Sequence, residues 1–176
     1  DDIGLLNRAA AHERLRPSRD ALAVALRLWS LEQEESGSAL ARLLPAALVR
    51  ECVAAGWLAR RGTRLRARLR LDPHAQLLLL ADLRFRPTDA TALGLPRGDM
   101  VYPPGSDSIL LAEAVPPRDG ERVLDLCTGS GIQGLAVAGR AQSVVAVDLG
   151  RRAAAMARAN AVVNELELEV REGDLY

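Results

Sequence analysis

The chain has 176 residues, 49% hydrophobic and 3% aromatic, enough to bury one good core or two small ones. Its 23 basic residues, all arginine, balance 23 acidic ones at a formal net charge of zero, so no whole-protein field draws it to a polyanion. Cys52 and Cys127 have no Cys or His neighbours at metal-ligand spacing, no charged-then-apolar leader follows Asp1 and Asp2, and no apolar run approaches the roughly 18 to 20 residues of a membrane span. A reduced, cytoplasmic protein without disulfide or zinc is the expectation.

Apolar residues first recur at helical steps: Leu5, Leu6, Ala9 and Ala10, then Leu22, Ala25, Leu26 and Trp29. This predicts two helices parted at Pro17 and Ser18. Ser18 is the expected cap of the second, since its hydroxyl can accept from a first-turn N–H. A polar break at 34–38 leads to a short helix at 39–44, and Pro45 opens another over about 46–55, ended by Gly56. From Trp57 the period becomes two. Leu65, Ala67, Leu69 and Leu71 point one way and Arg64, Arg66, Arg68 and Arg70 the other, beyond a turn at 61–63.

Helix, short helix, helix and hairpin resemble a winged helix over roughly 18–80. Two readings of that module stay open. In one, Arg60, Arg61, Arg64, Arg66, Arg68 and Arg70 meet nucleic-acid phosphates. In the other they form a solvated face on a structural or dimerising module. Scarce aromatics, and a preceding helix whose sole basic residue is Arg50, favour the second.

Residues 82–107 read as a connection broken by Pro87, Gly94, Pro96, Gly98, Pro103 and Pro104. A short capped helix at 108–115 follows, stopped by Pro116 and Pro117. The expected organisation is a helical accessory domain at 1–81, the connection, and a ligand-binding domain at 108–176.

The most informative segment runs from Arg122 to Gly134. An apolar strand enters a turn carrying Gly129 and Gly131, and a helix follows from Ile132 to about Ala138. A strand from Ser143 to Asp148, a helix from Arg151 to Val163, a strand from Leu166 to Val170 and the turn at Gly173 and Asp174 complete a strand, helix, strand, helix, strand series. That series begins a doubly wound α/β sheet of Rossmann type, with its ligand crevice at the strands' carboxyl ends.

The glycine spacing suits a nicotinamide dinucleotide as well as other adenosine cofactors. Charge separates them. Asp125 sits at the strand tip, where its carboxylate repels a pyrophosphate and attracts the sulfonium and ammonium of S-adenosylmethionine. Asp148 can accept from ribose hydroxyls in either class, and Asp174 from an adenine amino group.

VLDLCTGSG, AVDLG and REGDLY are similar to three motifs of the class I, Rossmann-like, S-adenosylmethionine-dependent methyltransferases, with Cys127 where many members have a glycine. The resemblance covers about 102–176. It implies S-adenosylmethionine as cofactor, with Asp125, Gly129 and Gly131 around its methionine part, Cys127 and Thr128 in the same turn, Asp148 on the ribose, and Asp174 with Leu175 at the adenine edge. YPPGSDSILLAEAV and RRAAAMARANAVVNEL resemble the subgroup that methylates amide or exocyclic amine nitrogens, including release-factor glutamine and RNA or DNA base methyltransferases. That subgroup places an Asn-Pro-Pro-Tyr-like catalytic loop after a fourth strand. No Asn-Pro dipeptide occurs here, so the catalytic residues are expected beyond Tyr176, and these residues alone are expected to be inactive.

His12 and His74 read as surface or packing residues and Cys127 as a turn residue. The implied chemistry is in-line attack on an activated methyl, in which a protein mainly aligns donor and acceptor. Two rival readings are a nucleic-acid-binding regulator whose α/β half senses a ligand, and an NAD-dependent oxidoreductase, which Asp125 disfavours.

Overall fold

The structure is a computed structural model that describes residues 2–83, 99–115 and 118–174, with side chains from residue 9 onward. The described residues sort into two compact units: 2–70, and 71–83 with 99–115 and 118–174. The expected connection lies largely outside them, as do Pro116, Pro117 and Leu175.

The first unit runs α1 (Asp2–Leu15), α2 (Ala21–Ala25) passing into a π-helical turn at Leu26–Ser30, β1 (Glu34–Ser36), α3 (Gly37–Leu40), α4 (Ala46–Ala54), β2 (Leu58–Arg61) and β3 (Arg64–Ala67). The strands form an antiparallel sheet in the order β1-β3-β2. Its inner face meets the helices in a core of Val24, Leu28, Leu40, Val49, Leu58, Leu65 and Ala67. The alternation of β3 explains the packing: Leu65 and Ala67 are buried while Arg64 is exposed.

Three local expectations change. Asp20, not Ser18, caps α2, accepting from Ala23 N–H at 2.7 Å. The Ser18 hydroxyl instead donates to Asp20 and is the main reason that carboxyl titrates below its ordinary range. The polar break contains β1, because Glu35 turns inward to pair with buried Arg27, whose Nη1 also donates to the Leu15 and Ser18 carbonyls at 2.5 and 2.8 Å. The two-residue period that seemed continuous to Leu71 spans two sheets: β3 ends at Ala67, and Leu69 begins another strand.

That strand, β4 (Leu69–His74), and β5 (Leu77–Asp82) form a two-stranded hairpin whose residues from Leu71 onward belong to the second unit. The unit continues with α5 (Ser106–Ala114), β6 (Arg122–Leu126), α6 (Ile132–Ala138), β7 (Ser143–Asp148), α7 (Arg151–Val163) and β8 (Glu169–Glu172). β6, β7 and β8 lie parallel in that order, with Leu124 opposite Val145 and Val145 opposite Glu169. Val144 and Ala146 are buried on the face that α6 and α7 cover, whereas Leu124 and Leu126 point away from it and are 60% and 48% exposed. The third strand starts later than expected, since Leu166 and Leu168 pack into the core with Leu79, Ile132, Leu135 and Ala161 before pairing begins.

Candidate functional site

The glycine turn joins β6 to α6 through left-handed backbone at Cys127, Gly129 and Gly131, with φ of +56°, +56° and +87°. Glycine adopts this region freely; a residue with a Cβ does not. Cys127 therefore occupies a position whose backbone suits glycine, as the motif comparison within the sequence suggested. A Cβ at Gly131 would also be tight, standing 3.3 Å from that of Ala157.

Hydrogen bonds fix the turn from several sides. Thr128 N–H donates to the Val147 carbonyl at 3.0 Å and Gly131 N–H to the Thr128 carbonyl at 2.8 Å. Gly129 N–H donates to Asp148 Oδ2 at 2.9 Å, and Gly150 N–H to Asp148 Oδ1 at 2.8 Å. Asp148 thus stands at the carboxyl end of β7 with one lone pair on each oxygen engaged and another left for a ligand. Gly173 N–H donates to the Asp148 carbonyl at 3.0 Å, bringing the turn of exposed Asp174 beside it.

Asp125 is more deeply placed than a strand-tip ligand group. It is only 8% exposed, and its Oδ2 accepts from the Thr128 hydroxyl at 2.6 Å and from Gly134 N–H at 3.0 Å. The carboxylate ties the turn to the first helical residues beyond it. Gly134 permits that approach, since a Cβ would meet Asp125 Oδ2, Val144 and Leu168 at 3.2–3.3 Å. The structure therefore brings Asp125, Cys127, Thr128, Gly129, Gly131 and Asp148 together around one turn, with Asp174 close by.

Sequence reasoning missed three supports of this site. Asn160, wholly buried on α7, donates to the Ser130 carbonyl in the turn at 2.8 Å. Asp82, at the end of β5, receives Arg152 Nε at 2.8 Å and Val101 N–H at 2.9 Å, binding the start of α7 to the segment before α5. Its hydrogen bond is the main reason the Arg152 guanidinium titrates above its ordinary range, with burial opposing. Gln133, early in α6, donates to the Ser108 carbonyl at 3.0 Å while its buried Oε1 has no hydrogen-bond partner among the described residues. The available signal was polar residues, Asn160 and Asn164, one helical turn apart on a helix face whose neighbours are alanine and valine.

The arginines at 60–70 are largely committed to their own unit. Arg61 and Arg64 lie 3.7 and 3.6 Å from Glu34, and Arg70 lies 3.3 Å from buried Glu32. Arg66 also has a partner, leaving Arg60 and Arg68 as exposed side chains with no ion pair among the described residues. Among the described residues no cluster of His, Cys, Asp and Glu could hold a metal, and no helix is long and apolar enough to cross a membrane.

A parallel sheet whose first strand enters a left-handed glycine turn, with an acidic residue ending the second strand beside it, defines the cofactor half of a Rossmann-like fold. The second unit is similar to the class I S-adenosylmethionine-dependent methyltransferases. Residues 104–176 match the family described as "Methyltransferase small domain", and residues 6–68 match "Domain of unknown function (DUF7059)".

Three relatives show the range of that similarity. The chain is 42% identical over 65 residues to the ribosomal RNA small subunit methyltransferase B of Thermus thermophilus, covering 37% of this chain and 15% of the relative. It is 40% identical over 74 residues to the tRNA1(Val) (adenine(37)-N6)-methyltransferase of Aeromonas salmonicida, covering 39% and 31%. Over 77 residues it is 34% identical to a Methanocaldococcus jannaschii protein that bears the name of a protein N5-glutamine methyltransferase, covering 43% and 39%. The matched region thus spans well under half the length of each relative.

Proposed function

We propose that the second unit binds S-adenosylmethionine and that the protein transfers its methyl group to a nitrogen, of a nucleic-acid base or a protein amide. The observation that carries this reading is Asp148, fixed at the end of β7 by the N–H groups of Gly129 and Gly150, with acceptor capacity left for the two ribose hydroxyls. The turn fits the rest of such a ligand. No atom lies within 4 Å of where a Cβ on Gly129 would stand, so the backbone is open to close approach. Buried Asp125 places negative charge behind the turn, which disfavours a pyrophosphate and favours a sulfonium and an ammonium.

In this reading Asp125, Cys127, Thr128, Gly129 and Gly131 surround the methionine part, and Asp174 with Leu175 reaches the adenine edge. The bound cofactor supplies an activated methyl. This chain's residues hold and orient it, and alignment with the acceptor does the rest of the catalytic work. Two relatives' names specify a nitrogen, N6 of an adenine in tRNA and N5 of a protein glutamine, and so support a nitrogen without choosing between base and amide; the third names ribosomal RNA and no atom. The order helix, strand, helix, helix, hairpin in the first unit supports a winged-helix-like accessory domain. Its contact with nucleic acid would rest on Arg60 and Arg68, the charges not spent on Glu32 and Glu34.

Calorimetric titration with S-adenosylhomocysteine and with NAD tests the reading. S-adenosylhomocysteine should bind and NAD should not, and Asp148→Ala should weaken the former by about tenfold or more, the worth of a charge-assisted hydrogen bond. Preferential NAD binding would refute it.

A further inference from the structure

Residues of α7 take the place of a strand along the edge of β5. Leu80 N–H donates to Asn160 Oδ1 at 2.6 Å, and Asn160 Nδ2 returns a bond to the Leu80 carbonyl at 2.9 Å. Four residues on, Asn164 repeats the pattern with Leu78, at 2.7 and 2.9 Å. Four helical residues rise about 6 Å and two strand residues about 6.6 Å, so side-chain amides one turn apart meet alternate residues of a strand. Leu79, between the two rungs, points into the apolar core.

The rungs differ in one respect. The second Nδ2 hydrogen of Asn164 goes to the Asn160 carbonyl within the helix, at 2.7 Å. That of Asn160 goes to the Ser130 carbonyl at 2.8 Å, and Ser130 lies between the two left-handed glycines of the turn. The peptide that joins Ser130 to Gly131 is then held at both ends, its carbonyl by Asn160 and its N–H by the Thr128 carbonyl. A peptide that precedes one glycine and lies one residue after another is otherwise freer to rotate than most.

We propose that Asn160 is a positioning residue for the cofactor: it couples the β4–β5 hairpin to the glycine turn, so that the hairpin edge holds the turn in its ligand-receiving shape. This rests on the reading of the turn as the S-adenosylmethionine site. Asn164 supports the same hairpin and does not touch the turn, which makes it the natural control.

The test measures S-adenosylhomocysteine affinity and melting temperature for the wild type, Asn160→Ala and Asn164→Ala, each titrated well below its own melting point. Both variants should melt earlier, but only Asn160→Ala should lose affinity, by about tenfold, with faster exchange of the Gly131 amide. Should Asn160→Ala fail to fold, wild-type hydrogen exchange decides. Coupling is reciprocal, so S-adenosylhomocysteine should slow the Leu80 amide more than the Leu78 amide. Equal affinity losses in both variants, unchanged affinity in Asn160→Ala, or equal slowing of the two amides overturns the proposal. A wild-type chain that ignores S-adenosylhomocysteine overturns the cofactor reading beneath it.

Discussion

The two units differ in which groups hold their central buried polar sites. The first seals charges in pairs, Arg27 with Glu35 and Arg70 with Glu32. The second also has such a pair, Asp82 with Arg152, but holds its glycine turn with neutral groups around Asp125: Asn160 on the backbone of Leu80 and Ser130, and Thr128 with Gly134 N–H on Asp125. The charge balance of an ion pair is replaceable by shape-matched apolar residues, although Arg27 also holds the Leu15 and Ser18 carbonyls. A side-chain amide on backbone fixes the path of the main chain, which no apolar residue can imitate. The unit proposed to receive a ligand is the one whose glycine turn is held by a side-chain amide.

Substitutions can break that contrast, beginning with the largest effect. Glu35→Ala should destabilise the first unit by about 3–5 kcal/mol, because Arg27 stays buried without its partner. The double change Arg27→Met with Glu35→Leu should recover the part of that loss due to the unpaired charge but not the part held by Arg27 Nη1 on the Leu15 and Ser18 carbonyls, as denaturant melts would show. Asn160→Leu should destabilise the second unit by about 3 kcal/mol, since the N–H and carbonyl of Leu80 and the carbonyl of Ser130 lose their partner. No single apolar partner change should rescue it. Full rescue there, or none for Arg27 and Glu35, would erase the distinction.

Smaller effects sharpen it. Gly134→Ala should destabilise by about 1–3 kcal/mol by pressing α6 off Asp125 and Val144. At Cys127, exposed and left-handed, Val should destabilise by about 1–2 kcal/mol, while Gly should stay within about 0.5 kcal/mol of wild type, its relief of strain offset by unfolded-chain entropy. The smallest effect concerns pH. The Arg140 hydrogen bond holds Asp119 below the usual carboxylate range. Stability from that pair is therefore present above the ordinary carboxylate pKa and fades as the pH falls through the lowered one. Asp119→Asn should flatten the acid limb of the melting curve without changing it near neutrality.

Much of the second unit was readable because its signals are local. α6, α7 and β7 fall where periodicity and glycine put them, and Asp148 follows from the strand end. What was not readable depends on partners far along the chain. β1 is a strand because residues 34–36 pair with residues 64–66 of β3, and β5 is tied to the second unit in part by Asn160 and Asn164, 80 or more residues away, which bond along its edge. The depth of Asp125 likewise depends on Gly134 letting a helix come close. The expected alternation holds in β3, where Leu65 and Ala67 are buried, and not at residues 69–71, which are all half-buried; period alone does not say where one sheet ends and another starts.

The central claim is that the turn between β6 and α6, with Asp148 beside it, receives the cofactor. Amide chemical-shift mapping of the isotopically labelled chain during titration with S-adenosylhomocysteine tests it most directly. The largest shifts should fall on residues 127–133 and 148–150, with the amides of the first unit unmoved. Shifts centred on the first unit, or none at saturating ligand, would contradict the account.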